Sequence, residues 1–268
     1  MHTIIHINTE QEMNPLITVV TVVKNDEKNI EKTLLSVLSQ DYPLLEYIII
    51  DGGSTDQTLS IVKKYSDKIT SIISEPDLNI FDAMNKGILH ATGEWINFMN
   101  SGDRFVNNSI LTEIFSFNRE NADLIYGNSI IEFDNGKTRY LKVQNNREFW
   151  KRYINHQSIL TQTHLLKDNP FIIKYDLCSD FDFLINMHQQ NKRFCYLAFP
   201  VSVRSSGGRS DLNRIKSHIQ KGVILKNRNI SNIKQYKIYS YIFFQIILES
   251  MKGIAKPLYI RMLTEPRH

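Results

Sequence analysis

The sequence has 268 residues, 42% of them hydrophobic and 22% charged, which suits one medium-sized α/β domain with a short appendage. No apolar run reaches the ~18 residues that would span a bilayer, and the N-terminus lacks the layout of a signal peptide. The two cysteines, Cys178 and Cys195, have neither a metal-binding spacing nor a disulfide framework, so a reduced, cytosolic setting is expected.

The formal net charge is +4, but the positive charge is concentrated at the C-terminal end. From Arg204 onwards there are thirteen Lys and Arg residues against only Asp211, Glu249 and Glu265. Such a basic region predicts either an anionic partner, such as a membrane surface or a polyanion, or a solvated helical face.

The first part of the chain alternates between strand and helix patterns. Residues 1–15 look like an extension without an assigned role, and the β-branched run 17–23 predicts a buried strand of a parallel sheet. Residues 25–27 can cap a helix whose apolar face runs through 30–38, and 45–50 predicts the second strand.

Polar clusters follow the first three predicted strands, at 24–27, 51–56 and 75–79. The third strand is expected at 69–73, which completes a β-α-β-α-β unit. Because the carboxyl ends of parallel strands meet at one edge of a sheet, these clusters should lie together, where ligands bind in α/β folds.

The rest of the chain gives a less regular pattern. In chain order we expect a helix at 81–90, a strand at 95–99, a helix at 109–118, strands at 124–126 and 129–133 with a turn at 134–136, a helix at 180–189, a strand at 194–203 and helices beyond 211. The stretch 134–175 gives no readable signal for the identity of a substrate.

Five side chains are candidates for chemistry. Asp51 and Asp103 each follow an apolar strand, where a carboxylate can accept a ligand hydrogen bond or bind a hard cation, or can simply form a turn. Asp180 and Asp182 open a predicted helix, so they are candidates for a general base or for an N-cap. His156 is a candidate phosphate or acceptor contact, or a structural histidine.

The order and spacing of these stretches resemble the family 2 glycosyltransferases of the GT-A fold. The matching stretches are 17–25, 33–40, 47–56, 74–77, 81–87, 91–103, 156–158 and 179–182. The resemblance implies a Rossmann-like α/β domain at 16–212, with a mostly parallel central sheet flanked by helices. It leaves 1–15 as an extension and 213–268 as a basic, partly amphipathic helical tail.

The resemblance also implies roles for individual residues. Asp180 would be the catalytic base, and Asp103 would ligate Mn²⁺ or Mg²⁺. Residues expected to bind the donor nucleotide are Thr21, Val22, Val23, Asn25, Glu27, Asp51, Asp82, Asn85 and Ser101. Residues expected to contact acceptor or phosphate are His156, Asp182 and Arg209.

Two positions depart from the family pattern. The acidic motif at 100–103 holds one carboxylate, Asp103, where the family usually has two or more, which predicts a weaker metal site. Asn79 stands where the family often has Gly, and Asn is among the residues that best tolerate a left-handed backbone.

The apolar segment 238–248 is too short to span a bilayer. It can lie in a membrane interface, with Lys234, Lys237, Lys252 and Lys256 at the head groups, or it can pack on protein.

By resemblance we expect an inverting glycosyltransferase that moves a monosaccharide from a nucleoside diphosphate sugar, with UDP-sugars favoured, to a glycan or lipid-linked glycan in surface polysaccharide synthesis. The expected location is cytoplasmic or peripheral at the inner membrane face, without a nucleic-acid partner. The alternatives are a non-catalytic nucleotide or glycan binder and a sugar nucleotidyltransferase. The latter usually opens with a Gly-rich phosphate loop, which residues 23–27 lack.

Overall fold

The computed structural model describes residues 14–116, 121–143, 149, 154–229, 240 and 242–250. The predicted extension, apart from residues 14 and 15, and most of the tail beyond 229 lie outside the described residues. The strands are β1 Ile17–Val23, β2 Leu45–Asp51, β3 Ser71–Ser74, β4 Trp95–Phe98, β5 Arg104–Phe105, β6 Leu124–Glu132, β7 Thr138–Leu141, β8 Ile159–Gln162 and β9 Phe194–Ser205. The helices are α1 Ile30–Leu38, α2 Thr58–Lys63, α3 Ile80–His90, α4 Ile110–Ser116, α5 Thr163–Asp168, α6 Ser179–Gln189, α7 Arg209–Leu212 and α8 Arg214–Asn227.

One sheet runs through the molecule, in the order β3-β2-β1-β4-β8-β6-β9-β5, with β7 paired to β6. Strands β1 to β4 pair parallel with one another, as the alternating pattern predicted. The carboxyl ends of β1, β2 and β3 therefore meet at one edge of the sheet.

The second half of the sheet is antiparallel at most of its pairings. Strand β8 joins the halves by pairing antiparallel with both β4 and β6, and β9 runs parallel to β6. Among the strands that the structure describes, the sheet is therefore mixed rather than mostly parallel. Strand β8 was not predicted, because a four-residue strand is too short to show a periodicity.

Strand β6 is continuous, although its sequence predicted two strands. Its pairing with β9 shifts register around Asn128, which is the mark of a β-bulge and explains the break in the pattern. The predicted turn at 134–136 is confirmed, since β6 and β7 form a hairpin closed by the Phe133 N to Lys137 O hydrogen bond of 2.9 Å.

Helices cover both faces of the parallel half. Alternate residues of β1 point to opposite sides, with Val20 packing in the cluster that holds Met84 of α3 and Val19 in the cluster that holds Leu34 of α1. Gly87 allows α3 to approach the sheet closely, since a Cβ there would lie 2.5 Å from Cγ1 of Val20.

The C-terminal helices pack on this domain. Ile224 of α8 is buried with Cys178, Leu225 joins the main core cluster, and Ile242 of the helical segment 242–250 lies against Gly222. Within the described residues, no helix is both long and apolar enough to cross a membrane.

Candidate active site

A cavity of about 700 Å³ opens beyond β4. Its walls come from distant parts of the chain: the loop after β4, the 3-10 turn His156–Ser158, the first turn of α6 and one face of α8. Asp103, His156 and Asp180 line this cavity together, so the sequence correctly grouped three of its candidates.

Asp103 is nearly buried at the base of the cavity, with 8% of its surface exposed. Its Oδ2 accepts a hydrogen bond from Nε2 of Gln157 at 2.6 Å, and its Oδ1 accepts one from the backbone N–H of Ser205 at 3.0 Å. Burial raises the pKa of the Asp103 carboxyl, although these donors oppose the rise. Two elements of the antiparallel half therefore hold this carboxylate in place.

Asp180 faces the same cavity from the first turn of α6. Its Oδ2 lies 3.3 Å from Nδ1 of His156, and its side chain is 26% exposed. Burial alone would raise the pKa of this carboxyl, but the hydrogen bond and charge of His156, with the Phe181 N–H and Lys221, bring it below the ordinary value. The helix is capped by Cys178, so Asp180 is not its N-cap.

The turn His156–Ser158 connects these two carboxylates. His156 contacts Asp180 through Nδ1 and the amide nitrogen of Asn100 through Nε2, at 2.8 Å, while Gln157 donates to Asp103. Two adjacent residues thus fix the spacing between the candidate metal ligand and the candidate base. His156 is a positioning residue in this geometry.

A divalent cation finds a limited ligand set here. In the part of the chain that the structure describes, no three His, Cys, Asp or Glu side chains gather into a metal-binding group. The side-chain oxygen of Asn100 is buried without a hydrogen-bond partner and lines the same cavity as Asp103. One carboxylate and one amide oxygen suit a hard cation that takes its remaining ligands from phosphate and water.

Asp51 does not line the cavity that holds Asp103, His156 and Asp180. It has no exposed surface, and its carboxylate accepts from the Ser54 N–H at 3.1 Å and from Oγ of Ser74 at 2.6 Å. These contacts fit the alternative that the sequence left open, in which Asp51 forms the turn.

The segment 21–25 was expected to line the nucleotide pocket, but its first three side chains are buried in the hydrophobic core. Thr21 is buried and donates to the Met99 carbonyl at 2.7 Å, and Val22 and Val23 pack inside the two core clusters. The backbone carbonyls of Val22 and Val23 accept from the N–H groups of Ser101 and Gly52. Asn25 has a positive φ of 51° and accepts from the Thr55 N–H, and Glu27 accepts from the Gln57 N–H. Both side chains join the loops after β1 and β2.

Of the remaining residues predicted to bind the donor nucleotide, two lie at α3 and one, Ser101, lines the cavity. Asp82 accepts from the Leu78 N–H at 2.9 Å, and Asn85 exchanges two hydrogen bonds with the Phe171 backbone. These contacts connect α3 to the backbone of neighbouring loops, which is a structural role for both residues. Ser101 lies in the cavity wall and donates to Asp26 at 2.6 Å.

Asp182 does not serve as an acceptor contact in this arrangement. It is 3% exposed and forms a paired contact with Arg228 of 2.6 and 2.9 Å, because it lies on the opposite side of α6 from Asp180. Arg209 begins α7, and its side chain lies outside the described residues.

Several cavity residues were missed from the sequence. They come from the loop after β1, from the 3-10 turn, from β9 and from α8, namely Asp26, Gln157, Arg204, Arg214, His218 and Lys221. Gln157 was quoted within a matching stretch but given no role. The α8 residues at 214, 218 and 221 have the spacing of one helical face. The sequence shows this spacing, but it does not show which part of the molecule that face lies against.

A parallel α/β unit that continues into an antiparallel half, with two acidic groups at the junction, defines the GT-A class of fold. The sequence profile described as Glycosyl transferase family 2 matches residues 18–178. The chain therefore belongs to the family 2 glycosyltransferases, as the resemblance implied.

Relatives support the same assignment. A PGL/p-HBAD biosynthesis glycosyltransferase of Mycobacterium bovis BCG is 29% identical over 177 residues, covering 64% of this chain and 69% of the relative. A glycosyltransferase of Mycobacterium tuberculosis described as uncharacterized is 39% identical over 92 residues, covering 34% of this chain and 35% of the relative.

Solved structures share the fold. S. aureus TarS 1-349 in complex with UDP-GlcNAc superposes with a TM-score of 0.64 at 20% identity, covering 86% of this chain and 72% of TarS 1-349. The mannosyltransferase PcManGT of Pyrobaculum calidifontis, with GDP-Man and Mn²⁺, gives 0.65 at 15% identity and 96% and 77% coverage. The chain spans 43% of the longer TarS structure.

Proposed function

We propose that this glycosyltransferase moves a monosaccharide, with inversion, from a nucleoside diphosphate sugar to a hydroxyl group of a glycan or lipid-linked glycan. A UDP-sugar is the favoured donor, and surface polysaccharide synthesis is the proposed setting. The observation that carries the proposal is the turn His156–Ser158, which sets Asp180 and Asp103 on one cavity. The fold relatives TarS and PcManGT, which bind UDP-GlcNAc and GDP-Man, support a nucleotide-sugar donor.

Asp180 is the proposed general base. Its lowered pKa keeps the carboxyl ionised at neutral pH, ready to take the proton of the acceptor hydroxyl. The freed oxygen then attacks the anomeric carbon as the bond to the diphosphate breaks, and attack from the opposite side inverts that carbon. His156 orients the carboxylate through its 3.3 Å contact.

Asp103 and Asn100 would hold Mn²⁺ or Mg²⁺. The chemistry that such a cation supplies is neutralisation of the charge that develops on the leaving diphosphate. Gln157 and the Ser205 backbone hold the Asp103 carboxylate in place through hydrogen bonds to its two oxygens.

We further propose a cytoplasmic enzyme that binds peripherally to the inner face of a membrane. The outer face of α8 exposes Ile215, Ile219 and Val223, and the segment 242–250 exposes Phe243 and Phe244. We call these five residues the apolar strip. Residues 213–268 hold eleven Lys and Arg against two Glu, a charge that suits anionic lipid.

A non-catalytic binder remains the second candidate, and one observation favours it. The cavity holds a single carboxylate in the motif at 100–103, and the described residues have no three-ligand metal group. The family match gives no support to a sugar nucleotidyltransferase.

The test is donor hydrolysis by the full chain with Mn²⁺ or Mg²⁺ and a panel of UDP-, GDP- and dTDP-sugars. Slow, metal-dependent release of nucleoside diphosphate from one donor is expected. Tight nucleotide binding with no release, even after a glycan acceptor extract is added, would favour the binder.

A further inference from the structure

Two partly exposed tyrosines lie close together on the antiparallel half of the sheet. Tyr140 belongs to β7 and Tyr196 to β9, the two strands that pair with the C-terminal part of β6, and their surfaces are 49% and 37% exposed. The buried Tyr126 of β6 packs beside Tyr196, with 5.4 Å between the ring centroids. We call Tyr140 and Tyr196 the tyrosine pair, since they present aromatic surface to solvent at one place.

One buried side chain holds both hydroxyl groups of the pair. Nδ2 of Asn128 donates to Oη of Tyr140 at 2.7 Å, and Oδ1 of Asn128 accepts from Oη of Tyr196 at 2.8 Å. Oδ1 also accepts from the backbone N–H of Val143 at 2.8 Å, which fixes the chain just after β7. Asn128 has no exposed surface and lies at the β-bulge, so its contacts hold the two rings in defined orientations.

This order favours the binding of a ligand to the pair. An exposed tyrosine loses conformational entropy when its ring is held in one orientation. Because Asn128 already holds both rings in the free protein, a ligand that packs on them loses little further entropy, which is the advantage of a preorganised site. Each ring also combines an apolar face with a polar edge, a combination that is common in binding surfaces.

Strand β7 connects the tyrosine pair to the cavity. Arg139 and Leu141 line the cavity wall. Since alternate residues of a strand point to opposite sides, Tyr140 lies on the side of β7 that faces away from the cavity. Among the described strands β7 pairs only with β6, so a chain that leaves the cavity across the other edge of β7 would meet the pair.

We propose that the tyrosine pair binds the acceptor glycan, at sugars that lie outside the cavity and away from the sugar that is glycosylated. A pyranose ring has faces of C–H groups, which pack on aromatic rings, and hydroxyl groups around its rim, which form hydrogen bonds. The hydroxyl hydrogen of Tyr140 has no acceptor among the described residues, so it can donate to a sugar hydroxyl. The pair would thus hold a long acceptor in place without taking part in the chemical step.

This inference rests on the proposed function, since the ligand is the acceptor of that reaction. The experiment is calorimetric titration of the full chain, in buffer that contains UDP and Mg²⁺, with linear hexasaccharides and disaccharides of glucose, mannose and N-acetylglucosamine. We expect one hexasaccharide to bind at least about tenfold more tightly than its disaccharide, because only the longer chain reaches both the cavity and the pair. Tyr140→Ala with Tyr196→Ala should remove most of this advantage and leave the disaccharide unaffected.

Tyr140→Phe with Tyr196→Phe keeps the rings but loses their contacts with Asn128, so its affinity for the hexasaccharide should lie between those of wild type and the alanine variant. Tyr65→Ala is the matched control. Tyr65 is a partly exposed tyrosine of the first half whose hydroxyl donates to Glu31 at 2.7 Å, and its removal should leave all affinities unchanged. Tyr140→Ala alone, on the edge strand, replaces the double variant if that variant does not fold.

A hexasaccharide affinity that the alanine substitutions do not change would overturn the inference, and so would a wild type that binds no hexasaccharide more tightly than its disaccharide. In both cases the proposed function stands if the same preparation releases nucleoside diphosphate from a sugar donor. A wild type that binds a hexasaccharide through the pair but releases no nucleoside diphosphate, even with that hexasaccharide present, would overturn the proposed function and leave a glycan binder.

Discussion

The two halves of the sheet are built on different principles. In the half from β1 to β4, the four strands pair parallel with one another, and the loops at the carboxyl edge follow one another closely in sequence. In the half that contains β8, β6 and β9, strands separated by long stretches of chain pair with one another. Segments that are close in sequence therefore form the carboxyl edge of the first half, whereas pairing of distant segments forms the wall that carries Asp180 and His156.

The residues proposed to carry the chemistry lie where the two halves of the sheet meet. Asp103 belongs to the loop after β4, yet its two carboxylate oxygens are held by Gln157 and by Ser205 of β9. If this division is right, changes in the second half should lower turnover or weaken metal use while nucleotide binding at the first half persists.

The largest expected effect is that of Asp180→Asn. Removal of a general base typically lowers the rate by about 10²- to 10⁴-fold, so turnover should fall by that amount while nucleotide affinity stays within a few-fold of wild type. The measurement is kcat for sugar transfer together with nucleotide titration.

Asp182→Asn is the matched control, two residues along the same helix. It breaks the buried pair with Arg228, so it should lower the free energy of unfolding by about 1–3 kcal/mol while kcat per folded molecule stays near wild type. Equal losses of kcat in the two variants would show that α6 acts through stability alone and would remove Asp180 from the chemistry.

The next effect concerns the connection between the halves. Gln157→Leu keeps the side-chain volume but leaves Oδ2 of Asp103 without its 2.6 Å donor. We expect kcat/KM to fall about 10- to 100-fold and half-saturation to require more Mn²⁺, because residues that hold a metal ligand have effects of this size. Gln162→Leu, which loses only a hydrogen bond to the Ala122 carbonyl, should leave the Mn²⁺ dependence as in wild type.

The sequence predicted the first half well and the second half poorly, for a physical reason. Runs of β-branched residues predicted the strands 17–23 and 45–50. The position of the polar clusters directly after these strands predicted that they lie at the carboxyl edge of the sheet. Strand β8 has only four residues, too few to show a pattern. The face of α8 that lines the cavity could not be predicted either, because it is defined only by how α8 packs on α6. Even in the first half, the pattern could not show that Asp51 is buried, because a buried and an exposed carboxylate look alike in sequence.

The apolar strip gives a smaller effect. Phe243→Ser with Phe244→Ser removes side chains that are 65% and 56% exposed. Partitioning into phosphatidylglycerol vesicles should fall about tenfold, since the two aromatic side chains together contribute on the order of 1–2 kcal/mol at partial insertion. High salt should weaken wild-type binding as well, and vesicles of phosphatidylcholine alone should bind less.

Leu35→Ser with Leu89→Ser is the control for this prediction, because these side chains are 51% and 77% exposed on other helices. If both double variants pellet equally with the vesicles, the strip is not a lipid contact. If only the phenylalanine variant converts a dimer into a monomer, the strip covers a second copy of the chain instead.

The smallest effect tests how tightly the halves are joined. Glu132 of β6 forms a two-pronged contact with Arg104 of β5, both at 2.8 Å, and also pairs with Lys32 of α1. The hydrogen bonds from Arg104 and Lys32 lower the pKa of this carboxyl from 4.5 to about 2. The folded protein therefore keeps Glu132 ionised at a pH where the unfolded chain protonates it, so the pair stabilises fully above pH 4.5 and loses its contribution between pH 4.5 and about 2.

Glu132→Gln should accordingly lower the free energy of unfolding at pH 7 by about 1–2 kcal/mol. This is less than the full pKa shift would give, because the side chain is 28% exposed and solvent screens the charges. The difference from wild type should shrink as the pH falls toward 2, which urea unfolding at pH 7 and pH 3 measures. Glu75→Gln, whose partner Lys86 lies within the first half, should cost less than about 0.5 kcal/mol. A Glu132→Gln deficit that is the same at both pH values would mean that altered packing around position 132, rather than loss of this charge cluster, causes the deficit.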